Sequence, residues 1–417
     1  MSETPDVGRG TEAADGRVSA AGGAVWGGLE DGRNPYLGTN AGIAARNSAD
    51  FPATTREMGK LARAERYELQ AVLRGLISEN RRIQGCLRFP RGGVSEIQIH
   101  QSDTSGLAYY SGLQTCGLGG VCPACGSKIA EHNCREIQAA LDVWRGRGGV
   151  PALLTLTMPH YRSQRLSANL SAMLAAYRAL LGNGSYRLLR KHAKLDHSIR
   201  VPEITYGPRN GFHPHLHILG FFGAHFDAPA FERELARLWL ANLQRQGVQI
   251  EDPAAVLLRG VRVQLGFTAG AEYVSKLGRS WGLAEEVSKA NRKKGRGEHY
   301  SPVDVLRHVR DDTLPGARVV YREYVAAIDG VHLLQWSRDM RNQLGFKAEK
   351  TDQAVVAGED QGDAVLARLT LYEWRAVRFG GCVAVLRVLH LADDDADGAF
   401  GYVGELVRRY ELAARGA

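Results

Sequence analysis

Residues 210 to 222 of this 417-residue chain read NGFHPHLHILGFF, with His213, His215 and His217 on alternate positions. In an extended strand successive side chains point to opposite faces, so the three imidazoles share one face while Phe212, Leu216 and Ile218 share the other. The apolar face suits a core, which leaves the imidazoles converging on the opposite side. Neutral imidazole binds divalent metals well, and a His pair at i and i+2 on a rigid strand holds one ion with positions open for water or a phosphate oxygen. His215 and His217 are the expected pair. The turn GPRNG at 207 to 211 folds Pro202 to Tyr206 back against this strand and makes Glu203 the first candidate for a third ligand. His213, on the correct face but further along, is the alternative. The bland reading makes the three histidines ordinary polar residues of a half-exposed strand, and three in register beside a carboxylate argue against it.

A second group capable of chemistry is CGLGGVCPAC, which carries Cys116, Cys122 and Cys125. CPxC is a compact turn that presents two thiolates to one tetrahedral zinc. In a reducing compartment such clustering points to metal before disulfides. The alternating runs VSEIQIH (94–100) and GLAYY (106–110) read as a hairpin that returns Cys86 to the cluster as fourth ligand, with Cys134 and His132 also open. Four closed ligands leave no room for substrate, so this zinc would be structural. Cys382, among apolar residues, is expected only to pack.

The elements that must position these residues follow from periodicity. Residues 1–55, rich in Gly, Ala, Ser and Thr, read as a disordered leader. Residues 56–145 hold an amphipathic helix over 56–84, whose polar face is basic, and the cysteine module. Residues 146–300 alternate strand and helix: ALLTLTM, a long helix Leu166 to His192, strands Ile199 to Tyr206 and Phe212 to Phe222, a helix Ala228 to Arg245, a strand Val256 to Leu265, and a helix from about Thr268. Residues 301–417 read as mainly helical, with an exposed acidic stretch at Ala392 to Asp397. Helices packed on a central antiparallel sheet make this an α+β chain.

Charge adds a partner class. The chain has 53 Lys and Arg against 45 Asp and Glu, net +8, yet from residue 351 onward 7 basic face 11 acidic residues. Residues 1–350 therefore carry +12, alongside the histidines and cysteines, where a nucleic acid or phosphate partner would lie. No apolar run approaches the roughly 18 residues of a membrane span, and MSETPDVGRGTEAADG lacks the order of a signal peptide. A cytoplasmic protein is expected.

HPHLHIL resembles the second motif of the HUH endonucleases, His-hydrophobic-His proteins that nick single-stranded DNA, and in particular the rolling-circle replication initiators of small bacterial plasmids. His215, Leu216 and His217 would be the HUH triplet. The resemblance runs through residues 86 to 346. LLTLTMP (153–159) is similar to the family's first strand motif, AEYVSKLG (271–278) to its nucleophile motif, LLQWSRDMRNQLGF (333–346) to a downstream segment of the plasmid initiators, and YSGLQTCGLGGVCPACGSKIA to their cysteine motif.

The resemblance implies an HUH fold, a Mg2+ or Mn2+ ion at the histidines, and Tyr273 as the nucleophile that nicks one origin strand and is linked to its 5′ phosphate. It also implies strand transfer at termination, with a host helicase and polymerase as partners. On a helix Lys276 lies one turn from Tyr273, near the scissile phosphate. Many of these initiators carry a Glu, and others a second Tyr, four residues before the nucleophile, whereas this chain has Ala269. Basic residues Arg292, Lys293, Lys294 and Arg296 follow and suit phosphate contacts, as a solvated loop would also. The competing readings are an HUH transposase or relaxase and a zinc-containing DNA-binding regulator without catalysis.

Overall fold

Alternation in the histidine strand and its neighbours is realised in a five-stranded antiparallel sheet, which the computed structural model describes together with most of the chain, over residues 53–103, 105–223, 225–265, 299–358 and 363–415. The strands are β3 (Val150–Thr157), β4 (Leu195–Gly207), β5 (Gly211–Phe222), β6 (Val261–Leu265) and the two-residue β7 (Gln335–Trp336), in the order β6-β3-β5-β4-β7. Strand β5 is central. Its Leu216, Ile218 and Phe222 join Leu154 and Leu156 of β3 in one core with helices α4 (Leu166–Gly182), α6 (Ala228–Arg245) and α9 (Ala317–Ile328). Burial of these apolar side chains on one face leaves the odd-numbered side chains of β5 on the other.

A second antiparallel sheet is formed by β1 (Glu96–Gln101), β2 (Ala108–Ser111) and β8 (Ala364–Thr370), in the order β2-β1-β8. It packs with helices α12 (Leu371–Phe379), α13 (Gly381–Asp394) and α14 (Ala396–Arg415) around a separate core that includes Ile97, Ile99, Trp374 and Val388. The chain is thus a mixed α+β protein with two antiparallel sheets. The hairpin read in the sequence takes its third strand from about 260 residues downstream, inside the region read as mainly helical. Among the described residues no helix is long and apolar enough to cross a membrane.

Local caps account for several departures from the sequence reading. The expected helix Leu166 to His192 is two, because the Asn183 side chain accepts hydrogen bonds from the backbone of Ser185 and Tyr186 and starts α5 (Gly184–His192). The expected strand from Val256 begins instead as helix α7 (Pro253–Arg259), capped by Asp252 and ended at Gly260, and only then becomes β6. The helix expected over 56–84 is α1 (Ala53–Leu76) followed by α2 (Arg81–Gly85), which Asn80 caps.

The acidic stretch at 392–397 is not all exposed. Asp393 is buried and holds Arg63 of α1 by two bonds of 2.6 and 2.9 Å, while its Oδ1 also accepts the backbone N–H of Ala108 at 2.7 Å. One carboxylate therefore ties α1, β2 and α13 together. Removing one partner of a buried pair strands the other charge, at about 3–5 kcal/mol. Asp393→Asn should lose about that much stability in urea unfolding, and Arg63→Met with Asp393→Leu should recover most of it. A loss below about 1 kcal/mol in Asp393→Asn would contradict the role given to the pair.

Candidate metal centres

Strands β4 and β5 pair from Gly207↔Gly211 outward, and this register sets Glu203 opposite His215 and Val201 opposite His217. On the other side of β5, β3 sets Thr155 opposite His217 and Thr157 opposite His215. All of these side chains rise from the face away from the large core. His215 Nε2 donates to Glu203 Oε2 at 2.9 Å, and His217 Nε2 bonds to the same oxygen. The three ligand atoms lie within 4.8 Å of one another. The group could hold a metal ion, since two nitrogens and one carboxylate oxygen already converge and leave further positions open.

The second ring nitrogen of His217 is also fixed. Its Nδ1 lies 3.1 Å from Thr155 Oγ1, and a hydroxyl can donate to that nitrogen or accept from it. Such a partner orients the ring whether Nε2 carries a proton or a metal. Burial opposes a charge on Glu203, but hydrogen bonds from His215 and His217 outweigh it and hold the carboxyl well below the usual carboxylate range. The carboxylate is thus anionic at neutral pH.

His213 shares the face but not the group. Its Nδ1 lies 3.2 Å from Nδ1 of His160, the rings meeting edge to face at 4.5 Å. Burial, then the neighbouring His215, His160 and His299, push its pKa down to about 4, so it is neutral at neutral pH. Of the two candidate third ligands, the structure groups Glu203 and not His213 with the pair. His160, His299 and Thr155 were not singled out in the sequence. Thr155 was accessible from the alternation of LLTLTM, whereas nothing local marks His160 or His299.

The tip of the β4–β5 hairpin requires its glycine. Gly211 has φ +77°, and a Cβ there would come within 3.0 Å of the Arg162 backbone. Beside the tip, Tyr206 and Tyr300 exchange two backbone hydrogen bonds of 2.7 and 2.8 Å, which tie the segment at Tyr300 to the end of β4. Ala269, Tyr273, Lys276, Arg292, Lys293, Lys294 and Arg296 lie outside the described residues.

The cysteines form a second group. Cys86 ends α2, Cys116 follows β2, and Cys122 caps helix α3 (Pro123–Gly146), whose first turn carries Cys125. Sγ separations are 3.8 Å for Cys86 to Cys122, 3.6 Å for Cys86 to Cys125 and 3.6 Å for Cys116 to Cys125. Four thiolates at the usual zinc bond length stand about 3.8 Å apart at the corners of a tetrahedron. All four sulfurs are buried. Bonds from the other three thiols hold Cys125 low, while burial pushes Cys122 up. Buried Gln70 receives the Cys122 Sγ at 2.9 Å. Cys134 is buried outside the group, His132 stands 3.7 Å from Glu136, and Cys382 is half-buried elsewhere.

The two centres are mechanically joined. Strand β7, from the segment LLQWSRDMRNQLGF, pairs with β4 at Ile199↔Trp336. Arg341 of the same segment makes bonds of 2.7 and 2.9 Å to Glu136 on α3 and stacks over Trp336 at 4.9 Å. The helix that begins at the cysteines is therefore clamped to the sheet that carries Glu203.

Calorimetric titration with Mn2+ separates the ligand candidates. Glu203→Ala should weaken binding by at least about tenfold, as loss of even an outer partner does, whereas His213→Ala should leave it within about threefold. The reverse order would assign the third position to His213. Metal analysis of the purified protein should find one tightly held ion that Cys125→Ser loses, with a lower thermal midpoint.

The chain is similar in sequence to known proteins. The chain is 24% identical to a protein described as Protein rep from Streptomyces lividans over an alignment of 353 residues, which covers 69% of this chain and 76% of that one. It is 26% identical over 158 residues to a Neomycin resistance protein from Streptomyces cyanogenus, covering 32% and 35% of the two chains. No family model matches the chain, and no solved structure does. The similarity to Protein rep, across most of both chains, supports the plasmid Rep proteins as the family of this chain.

Proposed function

We propose that the protein initiates rolling-circle replication of a bacterial plasmid by nicking one strand of the origin, with residues 146–300 as an HUH nickase domain. In this reading residues 56–145 carry a structural zinc on Cys86, Cys116, Cys122 and Cys125, and residues 301–417 complete the second core. One observation carries it: in a chain similar to a Rep protein, a carboxylate and the HUH histidines converge on one strand-fixed point.

The chemistry divides among residues of this chain. Glu203, His215 and His217 would hold a divalent ion such as Mg2+ or Mn2+, which when bound would polarise a phosphate oxygen, a contribution of several kcal/mol. Glu203, anionic at neutral pH, sets the charge of the site. Thr155 fixes the His217 ring, and His213 stays neutral beside the incoming strand. The Tyr273 oxygen attacks phosphorus in line as its phenolic proton passes to water, the bond from phosphorus to the 3′ oxygen breaks, and that oxygen takes up a proton from water. The bond energy is kept in the phosphotyrosine ester, and the free 3′ hydroxyl primes synthesis by the host polymerase behind a helicase. Lys276 stands by the phosphate.

The test uses labelled oligonucleotides tiled across the replicon that encodes the chain, incubated with the protein and Mn2+. A covalent adduct is expected with one oligonucleotide, lost on chelation and lost in Tyr273→Phe. An undiminished adduct in Tyr273→Phe would reject the nucleophile. Tight, metal-independent binding without any cleavage would reject nicking in favour of a regulator.

A further inference from the structure

Four arginines from three separate segments meet at the edge of the second core. Arg74 comes from α1, Arg88 from the turn after α2, and Arg375 and Arg378 from α12. The turn is pinned rather than loose: the Arg88 carbonyl accepts the indole N–H of buried Trp374 at 3.0 Å, and Arg74 donates to the Cys86 carbonyl at 3.1 Å. The guanidinium of Arg378 stacks on the Phe89 ring at 4.6 Å and that of Arg88 lies 5.3 Å from the same ring. Arg378 also donates to the Arg88 carbonyl at 3.4 Å, so the two cations are held at one ring and one turn.

Charge balance at this edge is one-sided. Among the described residues no carboxylate pairs with any of the four. Burial lowers the Arg378 pKa and its neighbours Arg88 and Arg375 lower it further, and burial followed by Arg88 does the same to Arg74. Elsewhere in the chain crowded arginines have acids: Arg63 has Asp393, Arg307 has Glu65, and Arg341 has Glu136. Arg74 has the neighbouring cysteine thiols of the first core to balance it, whereas Arg88, Arg375 and Arg378 repel one another with no acid between them. Such a set fits an external anion, and the guanidinium fork matches phosphate oxygens. Phe89 is already occupied by guanidiniums, so the cluster offers charge rather than a stacking platform. That combination suits the backbone of a duplex better than the splayed bases of a single strand.

We propose that Arg88, Arg375 and Arg378 form a second DNA site that holds the phosphate backbone of duplex DNA, apart from the Glu203, His215 and His217 group. This rests on the reading of the protein as an origin-nicking enzyme and adds a surface on the other core. Such a site anchors the enzyme on duplex while the sheet face takes the strand to be cut.

The experiment measures fluorescence anisotropy of labelled duplex and single-stranded DNA against the full chain over a salt series, with Arg88→Gln, Arg375→Gln and Arg378→Gln combined. The combined variant should bind duplex at least about tenfold more weakly. The slope of log affinity against log salt should flatten by nearly three, at about 0.9 for each lost phosphate contact. Mn2+ affinity, thermal midpoint and the rate of adduct formation on a saturating short oligonucleotide should stay at wild-type values. Unchanged duplex affinity and slope in a variant whose parent still forms the adduct would overturn this site and leave the nicking reading intact. A loss confined to single strands would overturn the duplex assignment. Absence of DNA binding and of adduct in the wild type would overturn both.

Discussion

The pairing register of β4 with β5 is the constraint from which the site follows. Side chains alternate along a strand, so a slip of one residue would turn Glu203 into the core and bring Pro202 or Ile204 to the histidines. Two features hold the register. Leu216, Ile218 and Phe222 are buried on the core face, where a slipped strand would place imidazoles. The turn at 207 to 211 is closed by Gly211, where the positive φ and the close Arg162 backbone would strain any side chain. Hydrophobic burial and one glycine thereby determine where a carboxylate meets two imidazoles.

Around that centre the chain is built to limit movement. Thr155 orients the ring of His217 from β3, and β7 pairs with β4 at Ile199 and Arg200. The pair of Arg341 and Glu136 carries that support to α3, whose first turn presents Cys122 and Cys125. A metal at the cysteines would thus stiffen a helix clamped to the sheet that carries Glu203, which is the role expected of a closed four-thiolate site. The buried pair of Arg63 and Asp393 does the corresponding work for the second core, by tying α1 to it. The resulting arrangement places the unpaired arginines of α12 and the 86–90 turn on the second core and the metal group on the first sheet.

Much of this was legible in the chain because the informative residues act locally. Alternation assigned the faces of β5, the turn GPRNG brought Glu203 opposite His215, and CPxC with its flanking hairpin nominated Cys86. What was not legible depends on partners remote in sequence. The acidic run at 392–397 reads as solvated until Arg63 arrives from 330 residues away to pair with Asp393. Strand β8 is short and sits among helical sequence, and it becomes a strand because β1 offers an open edge. His213 lies on the ligand face by alternation, yet His160 takes up its Nδ1, and no spacing rule announces that contact. Single capping residues, Asn183 and Asp252, divided elements that periodicity alone runs together.

Joining the metal group to a tyrosine nucleophile is the central claim, and peptide mapping of the covalent product tests it most directly. Wild-type protein is reacted with origin DNA and Mn2+, digested with nuclease and protease, and the peptide that retains nucleotide is sequenced by mass spectrometry. The account predicts a 5′-phosphonucleotide on Tyr273. Nucleotide on any other residue, or none under conditions where the strand is cut, would contradict it.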